Sequence, residues 1–536
     1  MPVKRFAILA FFAAAATAAV AANDHAVIRG SNPVFSPGGT HIAFQQLEGD
    51  VFKIGVMPIA GGWVEWIESS PGNAAYPAWT PDGALIYMAG NDTETAYEAW
   101  KSGSQSGYGL RLWRDGVKRD LTRGRCRDYT PCVSPDGRTV YFVTTRGVES
   151  ESASFSKAAA TRIASIDLSA LANSPTLNSP TLNSPTLNSP TLNSPTPTLQ
   201  LQLTNSPTSL PRIILDSPNG NNSGYVQPAV SPDGSLLIWG HLDSFFDSWR
   251  ICGMRLSNAA QPCPITPSSL AALSPRWHPN GRLICFTGFL KGDPGWGVWV
   301  EDIRTGKVKR LATGENPCFS PDGNSITYDR NGTIFLRDFG PADEPDEILP
   351  DIRDDDAPET VLLAASGITT ETSFDIAGDE RFAFGDGTTF FVRAKVRLDG
   401  SGGVRQFAIG DYAENPQAFQ VYLSGGDIWF NTRGFDGKWL AVKSKVESRK
   451  SKVEKVEDSA RLHDVVAVRT PRRLVLSVDG GEPENEIRGP FLSLDTPQRL
   501  VVGAGLKEGE AIESLEVGSG WPHELPKAPT REDLFK

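Results

Sequence analysis

The sequence predicts an all-β chain of two successive domains, and three observations carry that reading. A seven-residue turn motif recurs six times before residue 325; short β-branched or aromatic runs follow each copy and continue past residue 360; 52 glycines and 40 prolines punctuate the 536 residues. That length is enough for two or three domains with cores of their own. The 63 acidic against 52 basic residues, a net charge of −11, argue against nucleic acid as a partner, because phosphate contacts need a basic surface. Six histidines and the lack of a C-x-x-C pair predict no metal centre and no cofactor.

The chain opens with Lys4 and Arg5, an apolar stretch from Phe6 to Ala16 and the small-residue pattern Ala19-Val20-Ala21. This order of charge, apolar run and A-x-A site reads as a signal peptide over residues 1–22, and the alternative is a buried first helix. The expectation is an exported chain, periplasmic or extracellular. No later run approaches the length needed to cross a bilayer, so no membrane span is expected in the mature chain. Cys126, Cys132, Cys252, Cys263, Cys285 and Cys318 would then meet an oxidising compartment. Cys126/Cys132 and Cys252/Cys263 are near enough in sequence to staple a loop, and six thiols leave the pairing open.

The repeat reads Pro, any residue, a large apolar residue, Ser/Thr/His, Pro, Asp/Asn/Gly, Gly. Its copies begin at Pro33, Pro77, Pro131, Pro228, Pro275 and Pro317, as in Pro317-Cys-Phe319-Ser-Pro321-Asp-Gly323. Proline fixes φ at the first corner of a tight turn and glycine accepts the left-handed corner, so each copy joins two antiparallel strands. The following strands are apolar, for example Val140-Tyr141-Phe142-Val143 and Leu283-Ile284-Cys285-Phe286. Units of roughly 42 to 54 residues suit four strands each, the size of a propeller blade, and radial closure leaves few exposed edges. The interval between the third and fourth copies is about twice as long because it holds NSPTL four times followed by NSPTP, within an insert at 173–210. That composition cannot form core and reads as a loop extension, with a mucin-like or adhesive role as the alternative. The repeated apolar-Ser-Pro-Asp-Gly resembles the TolB-like, WD-type β-propeller repeat over residues 23–345. The resemblance implies a six-bladed β-propeller, a fold shared by periplasmic interaction modules, peptidase caps and some pectin-fragment lyases.

Residues 346–359 are acidic and proline-bearing and read as a solvated linker. Calcium is the sharper reading of Asp354-Asp355-Asp356, but the spacing is not that of an EF-hand. From 360 to 523 the strand pattern resembles a laminin-G-like, concanavalin A-like jelly-roll, on Phe390-Phe391-Val392-Arg393-Ala394-Lys395-Val396, the hairpin Phe419 to Asn431, His463 to Val468 and Leu474 to Gly480. This implies a C-terminal β-sandwich (jelly-roll), lectin-like and carbohydrate-binding. A charged SKVE tract at 443–457 interrupts it, and residues 524–536 read as a tail.

Two groups of candidate residues follow. With Gly425-Gly426 as the turn, the hairpin pairs Gln420 with Asn431 and Tyr422 with Trp429, on the face opposite the core residues Phe419, Val421, Leu423, Ile428 and Phe430. Aromatic platforms beside amides suit sugar binding; stabilisation of a half-exposed sheet is the competing reading. In the propeller, the residue before each first proline of the motif is Asn32, Tyr76, Thr130, Gln227, Ser274 or Asn316. These neutral hydrogen-bonding groups should form a ring near one mouth of the channel. The fifth blade adds Arg276 and His278 as alternate residues that suit an anion, or pair structurally.

No G-x-S-x-G, H-E-x-x-H, Walker or dinucleotide motif occurs, so no catalytic residue is assigned and the chain leans away from enzymes. The expected function is a non-catalytic binding protein whose partner is a cell-envelope protein or an extracellular polysaccharide. The alternative is a polysaccharide lyase or hydrolase with a catalytic propeller, which a cluster of His241, His278, Arg276 and acids at one mouth would favour.

Overall fold

The computed structural model describes residues 24–49, 51–68, 73–90, 108–122, 126–146, 161–169, 211–216, 224–242, 249–257, 262–351, 353–384, 388–398, 403–410, 419–434, 438–445, 461–471, 473–481, 487–488 and 498–536. The leader, the NSPTL insert and the SKVE tract from residue 446 lie outside them. The described residues form two compact units, one of 24–349 with 530–536 and one of 350–529.

In the first unit each turn motif joins the first two strands of an antiparallel sheet. Blade 1 runs from Ser31–Phe35 to Glu65–Glu68, blade 2 from Ala74–Trp79 to Val117–Asp120, blade 3 from Asp128–Val133 to Arg212–Leu215 and blade 4 from Gly224–Val230 to Cys263–Pro264. Blade 5 starts at Leu270–Trp277, and blade 6 at Glu315–Phe319. First strands of neighbouring blades adjoin all the way round, including blade 6 with blade 1, which closes a six-bladed propeller. The long third interval is one blade, since Arg162–Asp167 pairs with Arg212–Leu215 across the insert.

Alternation sets the packing. Ile284 and Phe286 enter the core shared by blades 4 and 5, while Leu283 and Cys285 enter the core shared by blades 5 and 6. A strand buried on both faces needs apolar residues at every position, which is why these strands read as continuous apolar runs. Ser134, Ser231 and Ser320 close their turns from within: each hydroxyl donates to Asp136, Asp233 or Asp322 at 2.5–2.6 Å and accepts the N–H of Thr139, Leu236 or Ser325.

Three features go beyond the repeat. The outer strand of blade 6 is the first described strand, Asp24–Arg29, paired antiparallel with Thr333–Asp338. Blade 5 gains a fifth strand, Glu347–Ile348, from the segment expected to be a solvated linker. The closing segment, read from the sequence as a tail, returns to this unit: Leu534 is buried in the core of blades 4 and 5, and its carbonyl accepts from Arg255 Nε–H at 3.0 Å.

All six cysteines are free thiols. Cys252 and Cys263 are near in sequence but belong to different cores, because their adjoining strands pair Gly253 with Cys263 and turn the two side chains to opposite faces.

The second unit is a sandwich of two six-stranded antiparallel sheets. One orders Thr360–Ile368, Ala511–Ser519, Phe390–Leu398, Arg461–Arg469, Arg473–Val478 and Ile487–Arg488; the other orders Phe374–Asp379, Gln498–Val502, Arg405–Gly410, Phe419–Ser424, Asp427–Arg433 and Trp439–Lys445. Both contribute alternate residues to one core, among them Phe390, Val392, Phe407, Phe419 and Phe430. A fully buried ion pair, Arg405 with Glu510, ties the loops at 403 and 507. The acidic stretch is ordered here too: Asp355 is buried, accepts from Arg353 Nη2–H at 3.0 Å and from the Ala528 N–H at 2.6 Å, and so holds protein groups where calcium was the sharper reading. The last residues of the SKVE tract to be described, 443–445, extend the strand Trp439–Lys445.

Candidate functional site

The six ring residues share one backbone conformation. Asn32, Tyr76, Thr130, Gln227, Ser274 and Asn316 all have φ between 48° and 56°, the left-handed region that only glycine enters freely. The strand register shifts at every one of them, between Ser31 and Val34 in blade 1 and at the matching place in the other five. Proline has no N–H for the ladder, so each ring residue and its proline are extruded as a bulge that re-aims the side chain. Asn32, Tyr76, Ser274 and Asn316 line one cavity of about 10 Å³, together with Arg276, Val34 and prolines of the motif. Thr130 and Gln227 do not line it.

Three buried side chains fix this arc. The left-handed N–H of Asn32 donates to Asp329 Oδ1 at 2.9 Å, that of Tyr76 to Gln45 Oε1 at 2.9 Å and that of Asn316 to Thr287 Oγ1 at 2.8 Å, each reaching back to the preceding blade. The matching positions of blades 2, 3 and 4 hold Met88, Val143 and Gly240, which cannot accept. Sequence reading missed Gln45, Thr287 and Asp329, although a polar residue at one register of an apolar strand was the available signal. Burial pushes the Asp329 carboxyl up to about 7, against the lowering effect of Asn316 and the Asn32 N–H.

Arg276 and His278 part company. Arg276 lines the cavity, and its Nη1–H donates to the Pro275 carbonyl at 3.0 Å. His278 lies beyond the end of the strand Leu270–Trp277 and occupies the place of the turn serine: Nδ1 accepts the Asn280 N–H at 3.0 Å, and the ring packs edge-on against Phe319. It is a turn residue, and burial lowers its pKa. His241 contacts Cys252 Sγ at 3.6 Å and the Tyr225 ring, and is not among the cavity residues. The cluster that would have favoured an enzyme does not assemble around this cavity.

In the sandwich the hairpin has the register Gln420 with Asn431 and Tyr422 with Trp429. The two rings lie 6.4 Å apart and nearly parallel, and the Asn431 amide donates to Tyr422 Oη at 3.4 Å. Lys443 on the neighbouring strand stands 5.0 Å from the Trp429 ring centre while pairing with Asp427 at 2.8 Å. Asn431 Oδ1 is buried without a hydrogen-bond partner among the described residues. One further cluster, Glu359, His523 and Glu524, has metal-like spacing, but Arg393 bonds both carboxylates and supplies the cation itself.

No family model matches the chain. A stretch of 72 residues is 40% identical to the Tol-Pal system protein TolB of Nitratidesulfovibrio vulgaris, covering 12% of this chain and 16% of that protein. The chain thus matches about a sixth of that relative's length. Similar solved structures include a putative TolB from Agrobacterium tumefaciens (16% identity, TM-score 0.38, covering 58% of this chain and 91% of that one). TolB from Acinetobacter baumannii gives 17% identity and a TM-score of 0.36 over 58% of this chain and 64% of that one. An oligogalacturonate lyase from Vibrio parahaemolyticus gives 10%, 0.35, 60% and 92% for the same measures. The propeller is shown by the six sheets of the first unit and the closure of their ring.

Proposed function

We propose that the chain is an exported, non-catalytic binding protein: a propeller whose channel mouth receives a group of a cell-envelope protein or polysaccharide, joined to a carbohydrate-binding sandwich. One observation carries the reading for the propeller. Side chains from four blades, Asn32, Tyr76, Ser274 and Asn316, are aimed at one cavity by strained left-handed bulges. Strain of this kind persists where the surroundings over-determine it, as at ligand sites. Export rests on the leader at residues 1–22; among the described residues no helix is long and apolar enough to cross a membrane.

Lectin-like activity of the sandwich is supported by the aromatic pair Tyr422/Trp429 beside the amides Gln420 and Asn431. Asp329 favours a second reading, a polysaccharide lyase or hydrolase, since a buried carboxyl near 7 that is hydrogen-bonded to the cavity residues Asn32 and Asn316 is suited to proton transfer. Placing a photo-crosslinking aromatic residue at position 76 in cells, with Trp63 as the control position, tests the first. The binding reading expects adducts from position 76 alone. No adduct, together with polysaccharide cleavage that Asp329→Asn abolishes, would establish the enzyme instead. A glycan array on the full chain tests the sandwich, where Trp429→Ala should remove any signal.

A further inference from the structure

We propose that the channel mouth is an anion site, taking the carboxylate of an acidic peptide side chain or peptide terminus with Arg276 as its cation. The inference rests on the binding reading above and names the chemistry of the ligand.

The repeat isolates this residue. The position after the first motif proline is Val34, Ala78, Cys132, Ala229, Arg276 and Cys318 in blades 1 to 6, so five blades place a small or apolar group where the fifth places a guanidinium. Arg276 lines the cavity beside ring residues of blades 1, 2, 5 and 6, so its charge stands among groups contributed by four blades. Among the described residues it has no carboxylate partner, and the Pro275 carbonyl occupies one of its five N–H donors. A half-buried cation without a counter-charge keeps its full attraction for an anion in a region of reduced dielectric.

Two more residues that line the same cavity, Asn32 and Tyr76, carry side-chain donors, an amide and a hydroxyl, without a hydrogen-bond partner among the described residues. A carboxylate offers four lone-pair sites on two oxygens, which matches a guanidinium fork plus two neutral donors. The cavity is narrow and partly open, so it engages only the tip of a ligand, and a carboxylate on a flexible methylene stem suits it better than one fixed directly to a sugar ring. The chain's net charge of −11 repels acidic peptides in general, which makes selective capture of one informative.

The test uses the full chain at fixed ionic strength and fluorescence anisotropy with labelled hexaglutamate, labelled hexaglutamine and a uronic acid oligomer as competitor. The expected result is that hexaglutamate binds at least about tenfold more tightly than hexaglutamine, and that Arg276→Gln erases the difference while the melting curve is kept. Arg397→Gln, an equal charge change on the sandwich surface, should leave selectivity intact. If Arg276→Gln does not fold, Asn32→Ala and Tyr76→Phe take its place, each expected to weaken hexaglutamate several-fold. Equal binding of the two peptides, selectivity that survives Arg276→Gln, or binding of the uronic acid oligomer alone would overturn the proposal. Adducts at position 76 without glutamate selectivity would refute the anion site and leave the binding reading standing; loss of both would remove the two together.

Discussion

Replacing Asp329 by Asn should stabilise the propeller, increasingly so as the pH rises. The carboxyl is 8% exposed, and its Oδ1 accepts from the Asn32 N–H and from Asn316 Nδ2–H at 2.9 and 3.0 Å. Burial lifts its pKa from 3.8 to about 7. Between those values the unfolded chain has released the proton while the folded chain still holds it, so stability falls with rising pH at about 1.4 kcal/mol per unit. The loss is absent below pH 3.8 and reaches roughly 4 kcal/mol above pH 7. Asparagine keeps the accepting Oδ1 and never ionises, so Asp329→Asn removes the loss. Hydrogen exchange of the Ser325–Arg330 strand amides reports the propeller separately from the sandwich. The difference between variant and parent should be small at pH 4, climb through pH 5 and 6, and level off above pH 7. A difference independent of pH, or destabilisation across the range, would refute the account of Asp329 as a carboxyl held neutral by burial.

Other consequences follow from the packing. Leu534→Ala should cost the propeller about 2–5 kcal/mol, read as a lower melting temperature, because the side chain fills the core of blades 4 and 5. A melt unchanged by this substitution would mean that the closing segment does not dock. In the sandwich, Arg405→Ala should destabilise by about 3–5 kcal/mol by stranding the Glu510 charge, whereas Arg405→Met with Glu510→Leu should recover most of it; equal losses in both variants would contradict this. Deleting residues 24–29 bares the edge of Thr333–Asp338, and size-exclusion chromatography should then show self-association, a monomer counting against closure by this strand.

Much of the fold was legible because its signals are local. Each Pro-Asp-Gly turn encodes its own corner, and strict alternation about Gly425-Gly426 places Tyr422 opposite Trp429. Arg276 could be singled out as the charged exception at a repeated position. Its separation from His278 was not legible, because the strand ends between them, and the imidazole replaces a turn serine by accepting a backbone N–H.

By itself, then, the sequence determined the all-β class, the number of blades and the six equivalent positions before the prolines, since repeat count and turn chemistry are properties of short segments. Only the tertiary structure decided which ring members share a cavity, which strand closes blade 6, and where the last residues go. Those outcomes depend on partners far apart in the chain, such as Asn32 with Asp329, Asp24–Arg29 with Thr333–Asp338, and Leu534 with blades 4 and 5. No local pattern records such pairings, because the free energy that selects them comes from burial and hydrogen bonds formed when the ring closes.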